Sequence, residues 1–152
     1  SSLVLGLEQA FMELQEGRDL LAVEGTRLRN RFETLLTADQ KEILSPFSQA
    51  NRVPHISCLL FPEVSSEALL FLLNETRVYA TRGGGNFQNL FRLLTAHAIC
   101  AERAHCGLSF ALSRHTKESE IERAAEEMMR CYRSLRRVSQ QCFSTPQQAS
   151  NR

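Results

Sequence analysis

"GLSFALSRHTKESEIERAAEEMM" (Gly107–Met129) decides the fold. Leu108, Phe110 and Leu112 alternate with Ser109, Ala111 and Ser113, the period of a half-buried strand. Thr116 then offers a helix cap, with Glu118 and Glu120 in the first turn, where the helix dipole favours acid. Ile121, Ala125, Met128, Tyr132 and Leu135 form the apolar stripe of the helix that follows, and Met128 and Tyr132 are expected to face the core. Arg133, Arg136 and Arg137 fall near its C-terminal end, where cations are favoured.

Upstream the same two periods recur. Leu3, Leu7, Ala10, Phe11 and Leu14 repeat at helical spacing, and Gly17 separates them from a second helical set, Leu21, Leu28, Phe32 and Leu35. Residues 37–54 are polar with two prolines and read as a connection. "HISCLLF" (His55–Phe61) is a buried strand bounded by prolines. Ser65 caps a compact helix, "SEALLFLL", with Glu67 in its first turn. "RVYAT" (Arg77–Thr81) predicts another strand, which runs into Arg82, Gly83, Gly84, Gly85 and Asn86. Phe87, Leu90, Phe91 and Leu94 predict a helix that continues past His97.

The order α-α-β-α-β-α-β-α predicts an α/β (α+β) fold, a small three-stranded sheet with flanking helices. One domain is expected over residues 1–138, with a Gln- and Ser-rich flexible tail at 139–152. A chain of 152 residues can bury a core, and 43% hydrophobic against 23% charged residues excludes a disordered chain. The net charge of +1 gives no argument for nucleic acid or an acidic membrane, and no apolar run is long enough to span a bilayer. Five irregularly spaced cysteines (Cys58, Cys100, Cys106, Cys131, Cys142) do not make a disulfide framework, so a reduced, cytoplasmic setting is expected. The chain opens in a helix-like pattern without Met, as a fragment would.

Strand, glycine turn and helix start is a common setting for an anion site or a working loop. Arg82 with Gly83, Gly84 and Gly85 is therefore a candidate anion- or cofactor-binding element; the simpler reading is a flexible turn. His97-x2-Cys100 and His105-Cys106 have loosely metal-like spacing, but adjacent ligands at a helix end rarely close a tetrahedron, and no metal is expected.

Two blocks carry a family resemblance. "FPEVSSEALLFLLNETRVYAT" (Phe61–Thr81) resembles the "FPGVEGEALL…L…GVAVSSG" stretch of the cysteine desulfurases, and "LSFALSRHTKESEIERAAEEM" (Leu108–Met128) resembles their "IRFSLGRFTTEEEID" stretch. These are class V aminotransferase relatives that use pyridoxal phosphate on fold type I. The resemblance runs from Ser2 to about Val138 and implies the C-terminal small domain, with residues 1–17 as an interdomain-type helix.

It also implies three chemical groups, and the chain departs from each. The Schiff-base lysine lies in the family's large domain, and neither Lys41 nor Lys117 has its context. The loop cysteine falls at Asn86, and no cysteine lies between Cys58 and Cys100, so no register of the loop supplies one. The arginine that forks the substrate carboxylate falls at Ser109, whose hydroxyl cannot supply paired charged donors. Arg114 matches a second family arginine with a structural role. Cys100 and Cys106 are the less favoured places for a sulfur-carrying thiol.

Pyridoxal phosphate is thus expected only where a large domain is present, and desulfurase activity is not expected from this chain alone. A homodimer, or pairing with a pyridoxal-phosphate-binding large domain, is the expected assembly. A non-catalytic interaction module, and an aminotransferase or lyase completed by a large domain, stay open.

Overall fold

The computed structural model describes residues 2–84 and 89–143. In chain order the elements are α1 (Ser2–Asp39), β1 (Ile56–Leu60), α2 (Ser66–Glu75), α3 (Leu90–Ala96), α4 (Ala101–Ala104), β2 (Gly107–Ala111) and α5 (Glu118–Phe143).

The strand and helix of Gly107–Met129 form as their periods require. β2 pairs antiparallel with β1, Ile56 opposite Ala111 and Leu60 opposite Gly107. Leu108 and Phe110 are buried, Ala111 is exposed, and Met128 and Tyr132 of α5 are fully buried. Tyr132 donates its hydroxyl to the Pro62 carbonyl at 3.0 Å, which satisfies the polar end of a ring sunk in the core. The start of α5 differs from expectation. The Thr116 hydroxyl accepts from the Ser113 N–H, while the Glu120 carboxylate accepts from the Lys117 N–H at 2.8 Å. The glutamate half of a capping box, closed on the Lys117 N–H, therefore sets the boundary one residue later than Thr116.

Three other expectations are corrected. First, α1 is one continuous helix of 38 residues that runs through Gly17. A glycine costs a helix interior only about 1 kcal/mol relative to alanine and lacks the steric clash of a proline, so it does not end the helix.

Second, the sheet has two strands rather than three. Arg77 sits at φ 60° just past the end of α2. Its N–H bonds the Asn74 carbonyl at 3.2 Å, and the Val78 N–H bonds the Leu73 carbonyl at 3.2 Å. This is a Schellman closure, and it commits the N–H of Arg77, an odd-numbered residue that would face β2 in the register of Thr81, to the helix end rather than to a strand ladder. Only Thr81 reaches the sheet, exchanging bonds of 2.9 and 2.8 Å with Ser109. On the opposite edge Leu44, in the polar connection, bridges Leu60.

Third, α3 stops at Ala96. His97 caps it and Ala98 turns at φ 60°, so the helix does not pass His97. Phe87 lies outside the described residues, as does the tail beyond residue 143; α5 itself continues through the first residues assigned to that tail.

The main core gathers Leu28, Phe32 and Leu36 of α1, Leu59 of β1, Leu69 and Leu73 of α2, and the α5 stripe. A smaller cluster joins Cys58 and Leu60 to Leu90, Leu94 and Ala104. The first half of α1 lies outside both. Leu3, Leu7, Phe11 and Leu14 are 84, 73, 59 and 57% exposed. They continue the line of the Leu28–Phe32–Leu36 face along the helix, so the same stripe is buried at one end and bare at the other. No helix among the described residues is long and apolar enough to cross a membrane.

Candidate functional site

The glycine loop leaves the sheet at Thr81. Gly83 turns at φ 79°, which only glycine adopts freely, and its N–H bonds the Thr81 hydroxyl at 3.0 Å. The Leu90 N–H bonds the Arg82 carbonyl at 3.0 Å and pins the far end of the loop to its start. Arg82, Gly83, Asn89, Phe91, Ala104 and Gly107 surround a cleft of about 200 Å³. Arg82 extends to an ion pair with Glu67 of α2. Gly84 is exposed with open space around its Cα. Gly85 and Asn86 lie outside the described residues.

Ser109 is half-buried on β2, its main chain spent on Thr81. Arg114 is exposed after β2, with its Nε 3.1 Å from the His115 ring. It borders a separate cleft with Glu24, His55 and Leu112, so Arg82 and Arg114 do not converge.

The thiols follow burial. Cys58 is buried on β1, and desolvation pushes its thiol up to about 12, with the Glu33 carboxylate adding to the rise. Burial also raises Cys106, whose Sγ lies 3.4 Å from the Glu102 carbonyl, and Cys131 on α5. Cys100 is exposed. Sulfur transfer needs a thiolate, and these raised thiols are protonated at neutral pH. His97 stacks edge-on to Phe47 and His105 lies flat on Phe91. Among the described residues no three His, Cys, Asp or Glu side chains gather to hold a metal.

The best-built polar cluster escaped sequence analysis. Glu33, 7% exposed, accepts from Arg52 at 2.6 and 2.8 Å, from Ser57 at 2.8 Å and from Ser45 at 3.0 Å. Burial pushes its carboxyl up, but the Arg52 fork and the hydroxyls outweigh it and hold the group below its ordinary value. Arg29 lies beside it and bonds the Val53 carbonyl at 3.1 Å. Both oxygens of the carboxylate are occupied, so the cluster clamps α1, β1 and the connection together at the side of a cleft of about 460 Å³.

The cysteine desulfurase pattern explains three backbone outliers. Three of its four glycines fall at Glu63, Arg77 and Gly83, which stand at φ 65, 60 and 79°; the fourth falls at Ser66, the first residue of α2. The backbone keeps the glycine conformation where this chain carries Glu63 and Arg77 instead. Glu63 uses that turn to reach Arg136 at 2.7 Å.

No protein-family model matches the chain. A cysteine desulfurase of Azotobacter chroococcum is 30% identical over 133 residues, which cover 86% of this chain and 32% of that protein. Cysteine desulfurase NifS of Azotobacter vinelandii is 29% identical over 139 residues, 90% of this chain and 35% of the relative. Among solved structures, a NifS-like protein from Rickettsia africae superposes with a TM-score of 0.63 at 17% identity, over 74% of this chain and 29% of its own; another NifS-like protein gives 0.64 at 16% identity. The chain spans about a third of the length of the curated relatives it matches. Identity of 30% over 86% of its length, on a fold shared with NifS-like proteins, shows that this chain belongs to the cysteine desulfurase family, as the counterpart of about a third of those proteins.

Proposed function

We propose that the chain is the small-domain segment of a pyridoxal-phosphate-dependent, desulfurase-like protein, spanning residues 1–138, and that its own part is to pair rather than to transfer sulfur. The observation that supports this most directly is the state of its thiols. Cys58, Cys106 and Cys131 are held protonated by burial, and Ser109 stands where the resemblance places the arginine for the substrate carboxylate.

The residues present do not fit the cofactor. Lys41 stands exposed in a turn, and Lys117 is exposed, with its main-chain N–H donated to the Glu120 carboxylate at the start of α5. Neither borders the clefts around Arg82, Arg114 or the sheet. A Schiff-base lysine needs an enclosed, desolvated position that lowers its pKa, and neither lysine has one.

The bare stripe of α1 is the pairing surface. Each Leu, Val or Phe fully buried there contributes about 1.5–3 kcal/mol. Residues 1–20 carry Glu8, Glu13, Glu16 and Asp19 against Arg18, so two such segments repel each other side by side. A large domain that binds pyridoxal phosphate is the favoured partner, with a second copy of the chain as the alternative.

Incubation with pyridoxal phosphate, borohydride reduction and mass spectrometry test the reading, with no stoichiometric adduct on the isolated chain as the expected result. An adduct on Lys41 or Lys117, or alanine release from cysteine by the chain alone, overturns it.

A further inference from the structure

The lapse of the third strand leaves a slot in the sheet. Leu112 donates its N–H to His55 at 2.8 Å and Phe61 donates to Cys106 at 3.0 Å, so the even-numbered residues of β2 turn their main chain toward β1. The odd-numbered residues turn theirs away, as the Ser109–Thr81 exchange shows. Ala111 is the next odd residue, and the register set at Thr81 places Tyr79 opposite it. No main-chain hydrogen bond joins Tyr79 to Ala111, because the Schellman closure of α2 draws the chain off the sheet at Val78.

A cavity of about 290 Å³ occupies this gap. Its floor is apolar, made of Phe32, Val78, Phe110 and Ile121. Arg77 and Arg123 stand at its rim, both exposed, and neither makes an ion pair with a described residue. Glu120 shares the rim, but its carboxylate is held by the Lys117 N–H. Arg77 keeps its place at φ 60°, a left-handed conformation that a non-glycine residue adopts only at a cost.

We propose that this slot receives the C-terminus of a partner polypeptide that ends in an apolar residue. Each of the three features answers one part of such a ligand. The free N–H and C=O of Ala111 match an extended main chain that adds to the sheet edge. The apolar floor takes the last side chain, and the cavity has room for one residue rather than a drug-sized molecule. Arg77 and Arg123 neutralise the terminal carboxylate by charge-assisted hydrogen bonds.

The test uses the ¹⁵N-labelled full chain, titrated with an acetylated hexapeptide that ends in a leucine with a free carboxylate. The comparison ligands are the same peptide as its C-terminal amide, the same peptide ending in serine, and octanoate. The free acid ending in leucine is expected to shift the amides of Val78, Ala111 and Ile121. Amidation, and the double variant Arg77→Gly/Arg123→Ala, are each expected to weaken binding about tenfold, as loss of a charged hydrogen-bond partner does. Arg77→Gly suits its φ, so loss of binding in that variant is not loss of fold. Acid and amide binding equally, octanoate binding as tightly as the peptide, shifts confined to the bare stripe of α1, or no shifts at millimolar peptide would each overturn the proposal.

Discussion

Replacing Arg52 by methionine should be the most damaging single change outside the apolar core. Arg52 lies in a connection without regular structure, yet its side chain is 13% exposed and forks the 9% exposed carboxylate of Glu33 at 2.6 and 2.8 Å. The substitution keeps most of the apolar stem and removes the charge. It strands a buried carboxylate with two hydroxyl donors, Ser57 and Ser45. Breaking one side of a buried pair costs about 3–5 kcal/mol, and the surviving hydroxyls place this case near the lower end, about 3 kcal/mol. With a urea slope of about 1–3 kcal/mol per molar, the unfolding midpoint falls by roughly 1.5 M without a change in slope. Far-UV circular dichroism reads it directly. The double variant Glu33→Met/Arg52→Met should recover most of the loss, because it removes both charges. A second signature comes from pH. Glu33 is depressed in the folded protein, so its contribution is complete above the ordinary carboxylate value of about 4.3 and is lost as pH falls through the lower folded value. Without Arg52 the buried carboxyl is raised instead, so acidification from neutral pH should narrow the gap between variant and parent. A midpoint shift below about 0.5 M, or a double variant worse than either single one, refutes this account of the clamp.

Gly107→Ala places a Cβ 2.7 Å from the Leu94 Cδ1 and 3.3 Å from the Ala104 carbonyl oxygen, so the buried Leu94 side chain must turn to make way, and should cost about 1–3 kcal/mol in the same urea assay. Arg77→Gly should raise stability by about 0.5 kcal/mol, since relief of the left-handed conformation outweighs the added chain entropy of glycine; a measured loss would show that the arginine makes a contact of its own. In a Cys142→Ser background, a thiol reagent at mildly alkaline pH should modify Cys100 first and reach Cys58 and Cys131 only with unfolding; early labelling of Cys58 would contradict a thiol held at about 12. Leu7→Glu with Leu14→Glu should leave the domain's stability within about 0.5 kcal/mol, because both side chains are more than half exposed, while abolishing any association through α1 seen by sedimentation.

What the residues determined alone is what depends on neighbours in the chain. The alternation of Leu108 to Leu112, the stripe from Ile121 to Leu135, and the cap of α2 by Ser65 each specify an element whose bonds lie within a few residues, and each formed. The departures that the resemblance implies at Ser109 and Asn86 likewise ask only which residue type stands at a position, a question that needs no coordinates. What only the tertiary structure decided are the outcomes of competition. The Arg77 N–H had two possible acceptors, one on the β2 edge and one at the end of α2, and the helix end took it. Gly17 permitted both a break and a continuous helix, and the chain continued. Leu44 joined the sheet from a polar connection, and Glu33 met Arg52 across 19 residues with no periodic pattern to announce either. Periodicity reports which face of an element is apolar. It cannot report which of two partners a hydrogen-bonding group will choose, because that choice is set by burial and distance between segments that are remote in the chain.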